Sequence, residues 1–307
     1  MRYPARIILA LCFMCCIFLW GCSGGNPTGA EHSGPPRDNT PKVLIPSADG
    51  TAVYNNDYAS IDASNLSQGY VMVSYSGDCD KVKIQITGPD QNIYTYLLTA
   101  RNTYMTFPLS SGNGTYSIQV LENIAVDSYV VSLTQDVDAQ IENEFLPFLY
   151  PNQYVNFNTD SKAVEKGRDL AADTWSDLEV VQNIYNYVIK NISYDTEKAN
   201  SVSYGYIPNV DETLANGMGI CFDYAALMAA MLRSQNIPTK LEVGYSGDAY
   251  HAWISTYLDE KGWVDNIIEF DGHDWQIMDP TLASNNDSSA VKKYVGDGSN
   301  YVVKYSY

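Results

Sequence analysis

The sequence predicts an α+β fold preceded by a small all-β sandwich. Three observations carry that expectation. Apolar and polar residues alternate with period two up to about residue 138. The period then lengthens to that of helices. Strand-like runs return only after the last helix, so helices and an antiparallel sheet occupy successive stretches of the second part.

The elements follow in chain order. Residues 1–22 read as an export signal: Arg2 and Arg6, then an apolar run over 7–20, then small residues. The run is shorter than the roughly 20 residues of a membrane span. Leu19-Trp20-Gly21-Cys22 resembles the lipobox of bacterial lipoproteins, which implies diacylation of Cys22 and a lipid anchor in the membrane. Trp20 departs from that pattern, where a small or short side chain is usual. A plain secretory signal, or an uncleaved anchor, is the alternative. Residues 23–42 are rich in Gly, Pro, Ser, Thr and Asn and read as a flexible tether.

The first folded part is expected over 43–138. Val82, Ile84 and Ile86 alternate with Lys83, Gln85 and Thr87; Tyr116, Ile118 and Val120 alternate with Ser117 and Gln119; Tyr129, Val131 and Leu133 form a third such run. Asp49-Gly50, Gly88-Pro89-Asp90 and Gly112-Asn113-Gly114 supply turns between strands, which together indicate an antiparallel sandwich. No titratable cluster stands out in it.

The second part is expected over 139–307. Ser176-Asp177-Leu178-Glu179 has the S-x-x-E form that ties down the free amides of a helix start. Leu178, Val181, Tyr185, Val188 and Ile192 then form one apolar face. A shorter helix precedes it over about 163–173. The run 225–232, AALMAAML, is apolar all round, as in a buried helix, and Asn236-Ile237-Pro238 ends it. Strands are expected over 240–245, 251–258 and 275–278.

Charge and cysteine usage exclude several function classes. The chain has 18 Lys and Arg against 36 Asp and Glu, net −18, and two of the arginines lie in the leader. A body this acidic lacks the clustered cations that bind nucleic acid. Of six cysteines, Cys12, Cys15 and Cys16 lie in the leader and Cys22 is the lipidation candidate. Cys79 and Cys221 remain, which is no disulfide framework, and Cys79 reads as an unpaired surface or edge residue. No zinc-type Cys/His spacing or calcium loop occurs, so neither a metal nor a cofactor is expected.

Cys221 is the chemically interesting thiol. It follows Gly217 and Gly219 at the start of the buried helix, where free N–H groups and the helix dipole favour a thiolate. An isolated cysteine of this kind is more often a packing residue. His251, at the start of a later strand, changes that balance, because a base that takes the thiol proton and returns it to a leaving amine makes a nucleophile of the sulfur. Asp279, ending the run WQIMD before Pro280, can orient the imidazole, although Asp-Pro is commonly a turn. His273, in a polar loop, is the weaker candidate base, and Asp223 suits a first-turn structural role.

Gly219-x-Cys221, the run ALMAAMLRSQNIPTKLEVGY, His251-Ala252-Trp253, Gly262-Trp263 and Met278-Asp279-Pro280-Thr281 resemble, in that order, the bacterial transglutaminase-like superfamily over about 175–285. The resemblance implies a papain-like core with Cys221 as nucleophile, His251 as base and acid, and Asp279 as orienting group. The expected chemistry is acyl transfer at an amide, a peptide bond or glutamine side chain, through a thioester. Hydrolysis is favoured over transfer to an amine. Tyr204, Tyr206, Gly219 and Trp253 are candidates for the oxyanion site or substrate cleft; Trp253 and Trp263 are equally at home in a sheet core. The expected partner is a protein or peptide, such as a cell-envelope peptide. The run SYGYIPNVDETLANG resembles members from Gram-positive bacteria, and the leader with Cys22 makes an extracytoplasmic, membrane-anchored protein the expectation. The alternative is a catalytically silent scaffold or binding lipoprotein.

Overall fold

The computed structural model describes residues 37–246, 249–259, 261–264, 269–270, 275–276 and 301–307. Eight strands come first: β1 (Val53–Asn55), β2 (Ala59–Asp62), β3 (Tyr70–Tyr75), β4 (Val82–Thr87), β5 (Ile93–Leu97), β6 (Met105–Pro108), β7 (Gly114–Ala125) and β8 (Ser128–Ala139). They form two antiparallel sheets, ordered β1-β2-β3-β6 and β5-β4-β7-β8. The period-two pattern explains them. Val82, Ile84 and Ile86 of β4 and Tyr116, Ile118 and Val120 of β7 are buried, against Ile61, Val71, Val73 and Phe107 of the other sheet.

The third alternating run behaves differently. β8 is an edge strand, and its pairing with β7 slips at Val120/Leu121, so Val131 is exposed while Val137 and Ala139 are buried. A bulge shifts which residues share a face, and period two alone does not reveal it.

Helices and a second sheet follow: α1 (Lys162–Ala171), α2 (Asp177–Asn191), β9 (Ser193–Tyr194), α3 (Thr196–Ser201), α4 (Val210–Asn216), β10 (Met218–Gly219), α5 (Cys221–Ser234), β11 (Thr239–Ser246), β12 (Ala249–Leu258), β13 (Gly262–Val264), β14 (Glu269–Phe270), β15 (Trp275–Gln276) and β16 (Tyr301–Ser306). Ser176 Oγ accepts from Glu179 N at 3.2 Å, the cap expected for α2, while Glu179 Oε2 reaches one residue further back, to Trp175 N at 2.6 Å. α5 is buried from Asp223 to Ser234 on all sides, as its composition requires. It packs against α1, α2 and α4 and against β11 and β12. The sheet runs β13-β12-β11-β16 and is antiparallel. This is an α+β arrangement, helices on an antiparallel sheet, with a β-rich part before it.

Residues 35–307 cluster as one unit. The stretch expected to be a free tether is held by its last six residues: Arg37 bonds Asp177 Oδ1 and the Gln235 carbonyl, Asn39 Nδ2 donates to Thr174 O at 3.1 Å, and Lys42 N to Ser234 O at 2.7 Å. Arg233, fully buried near the end of α5, donates to the backbone oxygens of Thr239, Tyr150 and Tyr307, so one guanidinium joins three segments.

Gly244 of β11 lies opposite His251 and beside β16. A Cβ there would fall 2.0 Å from the carbonyl oxygen of Val302, a backbone atom that cannot swing aside. Gly244→Ala is therefore expected to lose about 1–3 kcal/mol by displacing β16, read as a lower urea midpoint.

Candidate functional site

Three segments meet at one cavity of about 620 Å³. Cys221 begins α5, His251 lies on β12, and the segment 202–207 runs across from α3. Leu97 of β5 closes the sandwich side. Gly205 has φ +84°, which strains any other residue, and a Cβ there would fall 2.2 Å from Leu97 Cδ1 and push that side chain aside.

The first turn of α5 is fixed by Asp223. Its Oδ2 accepts from Ile220 N at 2.9 Å and from Lys198 Nζ at 2.7 Å, and Oδ1 accepts from Tyr206 Oη at 2.5 Å. Lys198 Nζ also donates to Tyr206 Oη at 2.6 Å. The structural role expected for Asp223 is thus larger than a dipole effect: it binds α3 and the 202–207 segment to the helix that carries the thiol. Burial and the Asp223 carboxylate both push the Tyr206 phenol up. Tyr206 donates its single O–H to Asp223, and in this arrangement has none to offer a substrate oxyanion.

Cys221 is a free thiol, as is Cys79, and no disulfide joins them. Cys79 Sγ donates instead to Lys81 O at 3.3 Å. At Cys221, burial pushes the thiol up from its ordinary value. The backbone N–H groups of Ala252, Phe222 and Cys221 itself oppose that, and Asp223 adds to the rise. The sequence suggests the reverse sign; the helix start does lower the value, but burial outweighs it. Burial likewise pushes the His251 imidazole down. Both shifts favour the uncharged forms.

The sulfur and the imidazole belong to residues that line the same cavity. Ala252, whose N–H reaches the Cys221 sulfur, directly follows His251. His251 Nε2 is buried with no hydrogen-bond partner among the described residues. Trp253 stacks beside His251, ring centroids 6.4 Å apart, and its indole donates to buried Glu242 at 2.8 Å, bracing the strand rather than walling the cavity. Trp263 packs on Phe148 and lies under Lys240 Nζ. Tyr204 lines the cavity and is 82 % exposed. Gly219 pairs with Tyr194 in a two-residue parallel bridge two residues before the thiol. Asp279, His273 and Cys22 lie outside the described residues, and β15, from the run that leads to Asp279, pairs with β14.

Sequence reasoning missed Gln153. It lines the same cavity from the turn 152–155 and donates to Leu97 O at 2.5 Å. A loop glutamine between Asn and Tyr carries no periodic or motif signal. Its placement arises from a contact 56 residues away.

Comparison with known proteins finds similar chains. Residues 166–266 match the family model of the transglutaminase-like superfamily. The similarity to a transglutaminase-like core spans about a third of the chain. The UPF0252 protein MJ1282 of Methanocaldococcus jannaschii is 30 % identical over 111 residues, covering 32 % of this chain and 30 % of that protein. The uncharacterized protein YebA of Bacillus subtilis is 22 % identical over 192 residues, covering 53 % of this chain and 25 % of that protein. The chain thus matches less than a third of the length of either relative. Among solved structures, a proposed cysteine protease from Cytophaga hutchinsonii is similar at 16 % identity and a TM-score of 0.35, covering 70 % of this chain and 67 % of that one.

Proposed function

We propose that the transglutaminase-like core is a cysteine-dependent enzyme that breaks an amide through a thioester, with Cys221 as nucleophile and His251 as general base and acid. The observation that carries this reading is the shared cavity: Cys221 and His251 both line it, and the buried His251 Nε2 has no partner among the described residues.

In this reading the imidazole takes the thiol proton as sulfur attacks the carbonyl carbon. The carbon–nitrogen bond breaks and the amine leaves with that proton. Water, deprotonated by His251, then cleaves the thioester to a carboxylic acid; a primary amine in its place gives a new amide. The N–H groups at the start of α5 suit the oxyanion. Tyr204 is the remaining tyrosine candidate for it, since Tyr206 is bonded to Asp223. Asp279 is assigned to hold the imidazole. Hydrolysis is the favoured outcome, with a protein or cell-envelope peptide as substrate. The protein is placed outside the cytoplasm, held to the membrane by a lipid on Cys22, in a Gram-positive bacterium. No helix among the described residues is long and apolar enough to cross a membrane.

A silent scaffold is the second reading, and burial of the Cys221 thiol favours it. One assay separates them. The protein is incubated with dimethylcasein and dansylcadaverine, and ammonia, new amino termini and fluorescent label are followed. Cleavage or ammonia release without the amine is the result expected for a hydrolase. Label uptake alone indicates a transferase. None of the three products, against casein and other glutamine-bearing proteins, favours the scaffold.

A further inference from the structure

The mechanism leaves one polar group in the cavity unused. Gln153 is 7 % exposed, and its Oε1 is buried with no hydrogen-bond partner among the described residues. Its amide orientation is set chemically: the Leu97 carbonyl can only accept, so the nitrogen must face Leu97 and the oxygen must face elsewhere. The residue is also held firmly. Asn152 Oδ1 accepts from Tyr154 N and Val155 N, both at 3.0 Å, and Asn152 N donates to Val155 O at 3.0 Å. Tyr154, the next residue, packs its ring 5.3 Å from that of Phe222, the neighbour of Cys221.

An unpaired buried acceptor on a residue that lines the same cavity as Cys221 calls for a donor. The surroundings narrow its type. The described residues that line the cavity include Tyr154, Tyr194, Phe222, Tyr250, Tyr305 and Tyr307, and none of the described lining residues carries a formal charge. Such walls suit an apolar or aromatic group and offer no counter-ion to a charged one. A volume of about 620 Å³ lies within the range of small-ligand sites.

We propose that Gln153 is a specificity-determining residue: its Oε1 accepts an N–H from the acyl donor, and the aromatic walls select an uncharged, ring-bearing or apolar group beside it. The substrate class is then a secondary amide of peptide type with a neutral flank. This inference rests on the thiol chemistry proposed above for its readout.

The test uses two alkylating probes, N-benzyl-2-chloroacetamide and its N-methyl analogue, which lacks the N–H. In each case the Cys221 sulfur displaces chloride: an S–C bond forms, the C–Cl bond breaks, and the thiol proton goes to the medium. The adduct on the Cys221 peptide is measured by mass spectrometry, and each rate is divided by that of the same probe with glutathione. In the native protein the N–H probe is expected to be favoured about five- to tenfold, the worth of one net hydrogen bond. A 4-carboxybenzyl analogue is expected to be slower than the benzyl probe by about tenfold. In Gln153→Met the N–H preference should fall to about one. Each ratio is internal to one protein, so it does not depend on the thiol's own reactivity, and the native ratio stands even if the variant folds poorly.

A native ratio near one with Cys221 labelled overturns the role of Gln153 and leaves the enzyme reading standing. So does a native ratio that survives in Gln153→Met. No adduct at Cys221 with either probe, while the unfolded protein is labelled, overturns the enzyme reading and this subsite together.

Discussion

Cys221→Ala is expected to lower amide cleavage by about ten-thousand-fold or more, and His251→Ala by a comparable factor, because the two act as a unit and their losses do not add. Ten-thousand-fold is about 5.5 kcal/mol of transition-state stabilisation. The pH profile distinguishes how the pair works. A neutral imidazole must be present to accept the thiol proton. Burial holds His251 below its usual 6.5, so the acid limb of the rate should have its midpoint under pH 6.5. Burial holds Cys221 above its usual 9.0, so iodoacetamide labelling of this residue should keep rising through pH 9. Labelling that levels off near pH 6 would mean a thiolate–imidazolium pair instead of the uncharged forms. Equal labelling profiles in native protein and His251→Ala would remove the imidazole from the thiol's surroundings altogether.

The sign of the Cys221 shift shows where reading the sequence stops. A cysteine at a helix start is visible in the string, and so are the local N–H groups that favour thiolate. The burial that outweighs them is tertiary, with Ala252 of β12 brought to the start of α5 from a distant part of the chain. Elements with their own periodicity were legible for the same reason that β8 was not. α2 needs only its cap and its apolar face, and α5 only its composition. β4 and β7 sit inside the sandwich, where alternation and burial coincide. β8 sits at an edge and passes a bulge, so the face its pattern marks is not the buried one. The site divides along similar lines. Cys221 and His251 were legible because few residue types supply a nucleophile and a base. Gln153 was not, because its role depends on the Leu97 carbonyl fixing its amide. The Lys198–Asp223–Tyr206 cluster joins α3, a loop and α5, and only Asp223 had a local signal.

Lys198→Met is expected to destabilise the protein by about 2–4 kcal/mol. Asp223 is fully buried, and Lys198 is the cation bonded to it. Removing one partner of a fully buried pair costs about 3–5 kcal/mol, because the other charge is left uncompensated. Here the Lys198 side chain is 29 % exposed, so water screens part of the interaction and the lower figure applies. For a chain of this size the loss corresponds to a fall of roughly 5–12 °C in melting temperature. Asp223→Asn in the same protein should recover part of it, since the buried charge is then gone, the amide oxygen can still accept from Ile220 N, and the amide nitrogen can donate to Tyr206 Oη. A double-mutant cycle reads the coupling directly. Additive losses would mean that the ion pair does not hold the first turn of α5. A coupled pair has a functional consequence as well. Ile220 N and Tyr206 are tied to the carboxylate that Lys198 neutralises, so the backbone just before Cys221 and the segment bordering the cavity depend on one interaction. Loss of Lys198 should therefore broaden the range of probes that alkylate Cys221, even under conditions where the variant remains folded.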